Sequence, residues 1–213
     1  MLVLLLLCVG TGRSLMEADK TETASNYWED AEESEKALQT EVTKSGGNDK
    51  CLKNNPDLLR KLANALWING KTVEAAKIYS TFWALDSTVE PERYNPVFVQ
   101  DAMALAGVYQ SQGAFKHSSD SYESVLSYDI NRLDKTDSRV VRDANNLAVS
   151  LYLQSSVQKD PRERDRLLER SRQVFLLATS ISDDRKSPSL VSVIQNNRQY
   201  LKRDYVGARR AAR

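Results

Sequence analysis

The stretch Leu62–Leu85, LANALWINGKTVEAAKIYSTFWAL, decides the fold, because the rest of the chain repeats it. Leu62-Ala63 is followed seven residues on by Gly70, then by Ala75 and Tyr79. The same order returns at Leu105-Ala106, with Gly113 and Tyr122, and both the alanines and the glycines of the two copies are 43 residues apart. A looser third copy opens at Leu147-Ala148, 42 residues beyond Ala106. Repetition at a fixed period marks stacked supersecondary units rather than one closed core. Each unit is too long between breakers for a strand, and its apolar positions recur at three and four. Each is therefore a pair of helices.

This order of Leu-Ala, Gly, Ala and Tyr resembles the tetratricopeptide repeat over roughly residues 56–181. The resemblance implies that Ala63, Ala106 and Ala148 let the two helices of a hairpin approach closely. It implies that Gly70 and Gly113 end the first helix at positive φ, and that Tyr79, Tyr122 and Phe175 fill the wedge between neighbouring hairpins. The period exceeds the usual ~34 residues and is similar to the longer variety found in kinesin light chain and bacterial relatives. Asn145-Asn146-Leu147-Ala148 matches that variety's opening helix. The third copy departs from the pattern: Ser171 replaces the second alanine and the hinge glycine is missing. Phe175 also follows Ala148 by 27 residues where Tyr122 follows Ala106 by 16, an insertion of eleven. The irregular part of that insertion is read as Ser155–Asp160. The fold expected is all-α, an α-solenoid of three tetratricopeptide-like hairpins plus a C-terminal capping helix.

Helix starts are written in prolines. Asn55-Pro56, Asn95-Pro96, Asp160-Pro161 and Ser187-Pro188 each place a capping side chain before a residue that needs no N–H. Glu163, three residues past Asp160, adds the outline of a capping box. The helices predicted are 56–69, 72–87, 96–112, 115–130, 138–156, 161–181 and 188–203. In the last, Leu190, Val191, Ile194 and Leu201 share one side, while Gln195, Asn196, Gln199 and Lys202 share another, as a terminal cap requires. Upstream, Trp28, Ala31, Leu38 and Val42 stand at helical spacing within Asn26–Thr43. Glu29, Asp30, Glu32, Glu33 and Glu35 form the other face, read as solvated, and Ser45-Gly46-Gly47 ends the segment. The domain organisation is thus a leader over 1–14, an acidic linker with this helix over 15–55, the solenoid over 56–203 and a basic tail over 204–213.

A formal charge of +1 argues against a nucleic-acid-coating protein. Two cysteines, Cys8 and Cys51, exclude a disulfide framework and a thiolate metal site. Leu2–Gly10, LVLLLLCVG, reads as the apolar core of an export signal, with small residues for cleavage at Gly10–Ser14. It is too short to span a bilayer, which takes roughly 20 residues. The usual basic segment before it is missing, which points to a start codon placed too late. Leu7 stands where a lipoprotein signal needs a small residue. The expected location is extracytoplasmic: periplasmic, lumenal or secreted, with attachment to a membrane-associated complex left open.

Catalytic chemistry finds no footing. A lone histidine, His117, falls on the polar side of its helix and cannot build a triad or a metal site. No phosphate-binding glycine loop occurs, and no cofactor or small-molecule substrate is expected. Asp183-Asp184 reads as a turn. The alternation of Arg162, Arg164, Arg166, Arg170 and Arg172 with Glu163, Asp165 and Glu169 reads as an exposed, ion-paired helix face.

Binding remains. In the family resembled, the first helices of the hairpins line the inner face. That places Arg60, Asn64 and Trp67 there from the first hairpin and Met103, Gly107 and Gln110 from the second. The third contributes Arg142, Asn145, Asn146, Val149 and Tyr152. Asparagine amides both donate and accept, so they suit the main chain of an extended segment, and arginine suits carboxylates. Arg60, Asn64 and Arg142 fall where chaperone-type relatives clamp a C-terminal carboxylate, whereas Ala104 and Asn146 depart from that clamp. The reading is a non-catalytic interaction module for a peptide or protein partner. The other reading is a structural subunit whose groove a larger assembly fills.

Overall fold

A computed structural model describes the backbone of residues 23–87, 94–181 and 192–197, with the side chains among them except those of 23–30 and 86–87. Among these residues every regular element is a helix. They are α1 (Thr23–Lys44), α2 (Asn48–Asn54), α3 (Pro56–Ile68), α4 (Thr72–Ser87), α5 (Pro96–Ser111), α6 (Phe115–Arg132), α7 (Ser138–Val157) and α8 (Pro161–Ile181). From α4 to α8, each helix packs chiefly on its neighbours in the chain, while α3 packs on α4 and on both α1 and α2. That is the layout of an all-α helical-repeat solenoid, with hairpins α3–α4, α5–α6 and α7–α8. The apolar run Leu2–Gly10, Asp183-Asp184, Ser187-Pro188 and the basic tail lie outside the described residues.

The caps form where the prolines place them. Asn55 accepts from Leu58 N, Asn95 from Val97 N and Phe98 N, and Asp160 from Arg162 N. The capping box at Asp160 does not close. Glu163 pairs with Arg166 instead, and the Asp160 N–H goes to Gln158. Gly70 and Gly113 hold φ of 78° and 73°, a region that costs other residues about 1 kcal/mol or more. Their N–H groups bond back to Trp67 O and Gln110 O, satisfying the ends of α3 and α5.

Within each hairpin the crossing point is a pair of small residues with no exposed surface. Ala63 meets this description with Ala75, and Ala106 and Ala148 do so with Ser118 and Ser171. A buried hydroxyl must find a partner. Ser118 bonds Ser150 Oγ at 3.0 Å, and Ser171 donates to Ala148 O at 2.6 Å. Tyr79, Tyr122 and Phe175 are buried as the repeat predicts. The eleven inserted residues make no irregular segment. α7 runs four residues further past its alanine than α5 does, and α8 starts seven residues earlier than α6, while both connections stay at three residues. Ser155 is accordingly helical and buried, donating to Tyr152 O.

The acidic N-terminal helix is docked. Val42 is buried against Leu58, Leu59 and Leu62 in one apolar cluster that also holds Cys51. Glu35, expected on a solvated face, is 1% exposed because it bonds the α3–α4 turn, while Glu32 and Glu33 stay in solvent. At the other end, residues 192–197 bury Ile194 in the cluster shared by α5 to α8 and leave Gln195 and Asn196 exposed.

Candidate peptide-binding groove

The first helices of the hairpins are stitched together by polar side chains. Arg60 on α3 reaches Asp101 on α5 with Nε 3.0 Å from both carboxylate oxygens and Nη2 2.9 Å from Oδ2. Its Nη1 bonds Asp57, and its guanidinium lies 4.3 Å from the centre of the Phe82 ring. Trp67 on α3 lies over Gly107, where an added Cβ would come within 2.6 Å of the indole, and donates from Nε1 to Ser111 Oγ. Only glycine leaves room for that ring.

Between these contacts and α7 a pocket of about 400 Å³ opens. Arg60, Asn64 and Trp67 line it from α3, and Val99, Gln100, Met103 and Ala104 from α5. Arg139 and Arg142 of α7, with Tyr94 and Pro96, complete the wall. Val99 and Met103 are buried and make an apolar floor, while Asn64 and Gln100 are exposed at the rim. Below Asn64, Tyr79 donates its hydroxyl to Asn64 Oδ1 at 2.6 Å, which leaves the Asn64 amide N–H groups for a ligand. Burial pushes the Tyr79 hydroxyl far up, so it stays a donor.

The cations of the wall are neutralised where they stand. Arg139 grips Asp137 with Nε and Nη2, at 2.9 and 2.7 Å, and lies 4.6 Å from the Tyr94 ring centre. That bond holds the Asp137 carboxyl down to about 2, against the small opposing effect of burial. Arg142 Nε donates to Asp143 at 2.8 Å. The expectation that Arg60 and Arg142 stand free for acidic side chains is thereby corrected. Each already has a carboxylate, because burying an unpaired guanidinium beside these helices costs several kcal/mol.

Of the eleven inner-face residues named from sequence, Arg60, Asn64, Trp67, Met103 and Arg142 come together here. Asn145 does not. It is buried and accepts from Asn197 Nδ2 at 3.0 Å, so it fastens the C-terminal segment instead of facing a groove. Val149, Gly107 and Gln110 are likewise buried. Asn146 and Tyr152 are half-buried and lie outside the pocket lining. Tyr94, Val99, Gln100, Asp101 and Arg139 were not found from sequence. Asp101 carried a signal, since Asp143 stands 42 residues later at the same distance before its alanine.

His117 is exposed with its ring 5.3 Å from that of Tyr109, and on α8 Arg166 pairs with Glu163, Arg172 with Glu169 and Arg170 with Glu123 of α6. Among the described residues no group of three metal-ligating side chains gathers, and no helix is long and apolar enough to cross a membrane.

Fold and site together define an all-α helical-repeat protein of solenoid type, with a pocket among the first helices of three successive hairpins. No model of a known protein family matches the chain, and none of the curated proteins matches it.

Proposed function

We propose that this chain is a non-catalytic interaction module of tetratricopeptide type that binds an extended segment of a partner protein, with one bulky apolar side chain entering the pocket. The observation that carries this reading is the pocket itself. It is built by three consecutive hairpins, floored by Val99 and Met103 and rimmed by Asn64 and Gln100. Apolar clefts with a few rim amides suit a side-chain anchor whose flanking main chain needs donors and acceptors. The polar side chains around it support binding rather than chemistry: Arg60, Trp67 and Arg139 are each committed to a bond within the protein. The proposed setting is outside the cytoplasm, on the reading of Leu2–Gly10 as an export signal.

Panning a random peptide library against the full chain tests this. The peptides selected should share a large apolar residue. Ala104→Trp, which fills the pocket, should weaken them at least about tenfold, or roughly 1.4 kcal/mol. Asn64→Ala should cost roughly 1–3 kcal/mol of binding. Tyr79→Phe, which keeps the Asn64 amide, should cost less. Selected peptides that bind Ala104→Trp as tightly as the parent would place the site elsewhere.

A further inference from the structure

Asp101 and Asp143 occupy the same register, each five residues before the alanine of its hairpin, and both are buried. Their surroundings differ at one decisive position. Asp101 is forked by Arg60, which stands three residues before Ala63. The residue three before Ala106 is Met103, so the second hairpin sends no cation to Asp143. Asp143 keeps the bond from its own neighbour Arg142, and what reaches it from the second hairpin is another carboxyl, that of Asp129 on α6, within hydrogen-bond distance. Neither residue has any exposed surface.

Both Asp129 oxygens and Asp143 Oδ2 are enclosed without a donor, and Nη2 of Arg142 is enclosed without an acceptor. Two carboxylates can only accept; they face each other at this distance when one carries a proton. We propose that Asp129 and Asp143 share one proton where the second and third hairpins meet, and that this proton keeps Arg142 in the pocket wall. When the proton leaves to solvent the pair carries two charges, and Arg142 Nη2, enclosed without an acceptor, is a donor able to turn to Asp129.

The other groups around the pair do not replace it. From α7, Arg139 is gripped by Asp137, and Tyr94, before α5, is pushed up by burial and then by Asp129. α5 carries Asp101, forked by Arg60, and Tyr109, against His117. Arg132 of α6 lies over the Tyr128 ring. α8 and residues 192–197 bury Leu167, Ser171, Phe175, Ala178, Ile194 and Asn197, none of which titrates here. Burial, then the neighbouring Asp143, lifts Asp129 to about 7, with Arg142 and Arg139 opposing. A carboxyl raised in the folded state stabilises below its unfolded value, and that contribution is lost as pH rises through the folded value.

The consequence for the groove rests on the function proposed above; the proton does not. Carbon-13 carboxyl NMR of the full chain across about pH 4 to 9 should show the pair titrating near neutrality, with the Arg142 Nε–H signal moving at the same midpoint. Asp129→Asn keeps a donor toward Asp143 and should hold the Arg142 signal still. Relative to this variant, the parent's folding constant should fall by up to about tenfold per pH unit between the ordinary carboxylate range and neutrality, then stay level. Aspartate carboxyls that all titrate below about pH 5 overturn the shared proton, and this measurement needs no variant to fold. A parent-to-variant ratio that stays constant with pH overturns it equally. An Arg142 signal unmoved while the pair titrates overturns the arginine's part.

Discussion

The carboxylate of Glu35 accepts from the amide of Asn69 across 2.7 Å and from Lys71 Nζ across 2.6 Å, so α1 clasps the turn that Gly70 makes between α3 and α4. A second bond, from Asn69 Nδ2 to Ala31 O, ties the same turn to the α1 backbone. The N-terminal helix is therefore a lid on the end of the solenoid, fixed by a buried carboxylate that Gln39 of the same helix also holds and whose partners outside α1 come from one turn.

That clasp weakens in acid. Burial pushes Glu35 up, but the bonds from Asn69 and Lys71 outweigh it, and the carboxyl ends below its ordinary value of 4.5. A depressed carboxyl stabilises above its unfolded value and loses that contribution as pH falls through its folded value. Hydrogen exchange of residues 36–44 should accelerate below about pH 4 in the parent. In Glu35→Ala it should be fast at neutral pH as well, by about tenfold or more, since truncation leaves one Asn69 amide N–H without its acceptor, at about 1–3 kcal/mol. Equal protection of the α1 amides in parent and variant would refute the clasp.

Arg60 and Asp101 form the corresponding tie between the first two hairpins. Asp101 has 2% of its side chain exposed, so Arg60→Ala leaves a carboxylate in a site that water does not reach. The expected loss is about 3–5 kcal/mol, because an uncompensated buried charge costs more than the pair contributes. Arg60→Met with Asp101→Leu should recover much of it, giving a coupling well above 1 kcal/mol in a urea-unfolding cycle. A loss under about 1 kcal/mol for the single change would show that Asp101 finds another donor.

Helix crossings fix the third prediction. Ala106 and Ser171 have no exposed surface at the centres of their hairpins. Ala106→Leu and Ser171→Leu should each cost about 1–3 kcal/mol through overpacking. Ser171→Ala restores the residue used at position 75 and loses only the hydroxyl bond to Ala148, about 1 kcal/mol. Denaturant midpoints would decide it: a loss below about half a kcal/mol for Ala106→Leu is incompatible with the packing described.

A fourth prediction concerns processing. If Leu2–Gly10 directs export, the chain purified from its native source should begin near Thr11–Leu15. Intact Met1–Arg13 found by mass spectrometry on a cytoplasmic protein would rule the export signal out.

The sequence by itself determined the helices from α3 to α8, their hairpin pairing and their register, and missed the short α2. Those properties are local: Asn-Pro caps, glycine at positive φ and alanine at a crossing each act within a few residues of their own position, and the 43-residue spacing carries the register from one hairpin to the next. Arg60, Asn64, Trp67 and Arg142 fell on one face for the same reason. Tertiary structure alone decided what those side chains touch. Asn145 left the groove because Asn197 of the C-terminal segment bonds it, and Glu35 left solvent because Asn69 and Lys71 come from a turn more than thirty residues away. The eleven-residue insertion reads as partly irregular over Ser155–Asp160, yet the helix bounds that Pro161 marks already absorb most of it, since two packed helices can lengthen by whole turns without a longer connection. Charge is the least local property of all. Arg60 and Arg142 look alike in the sequence, and only the fold gives one a fork on Asp101 and the other a place beside a carboxyl pair.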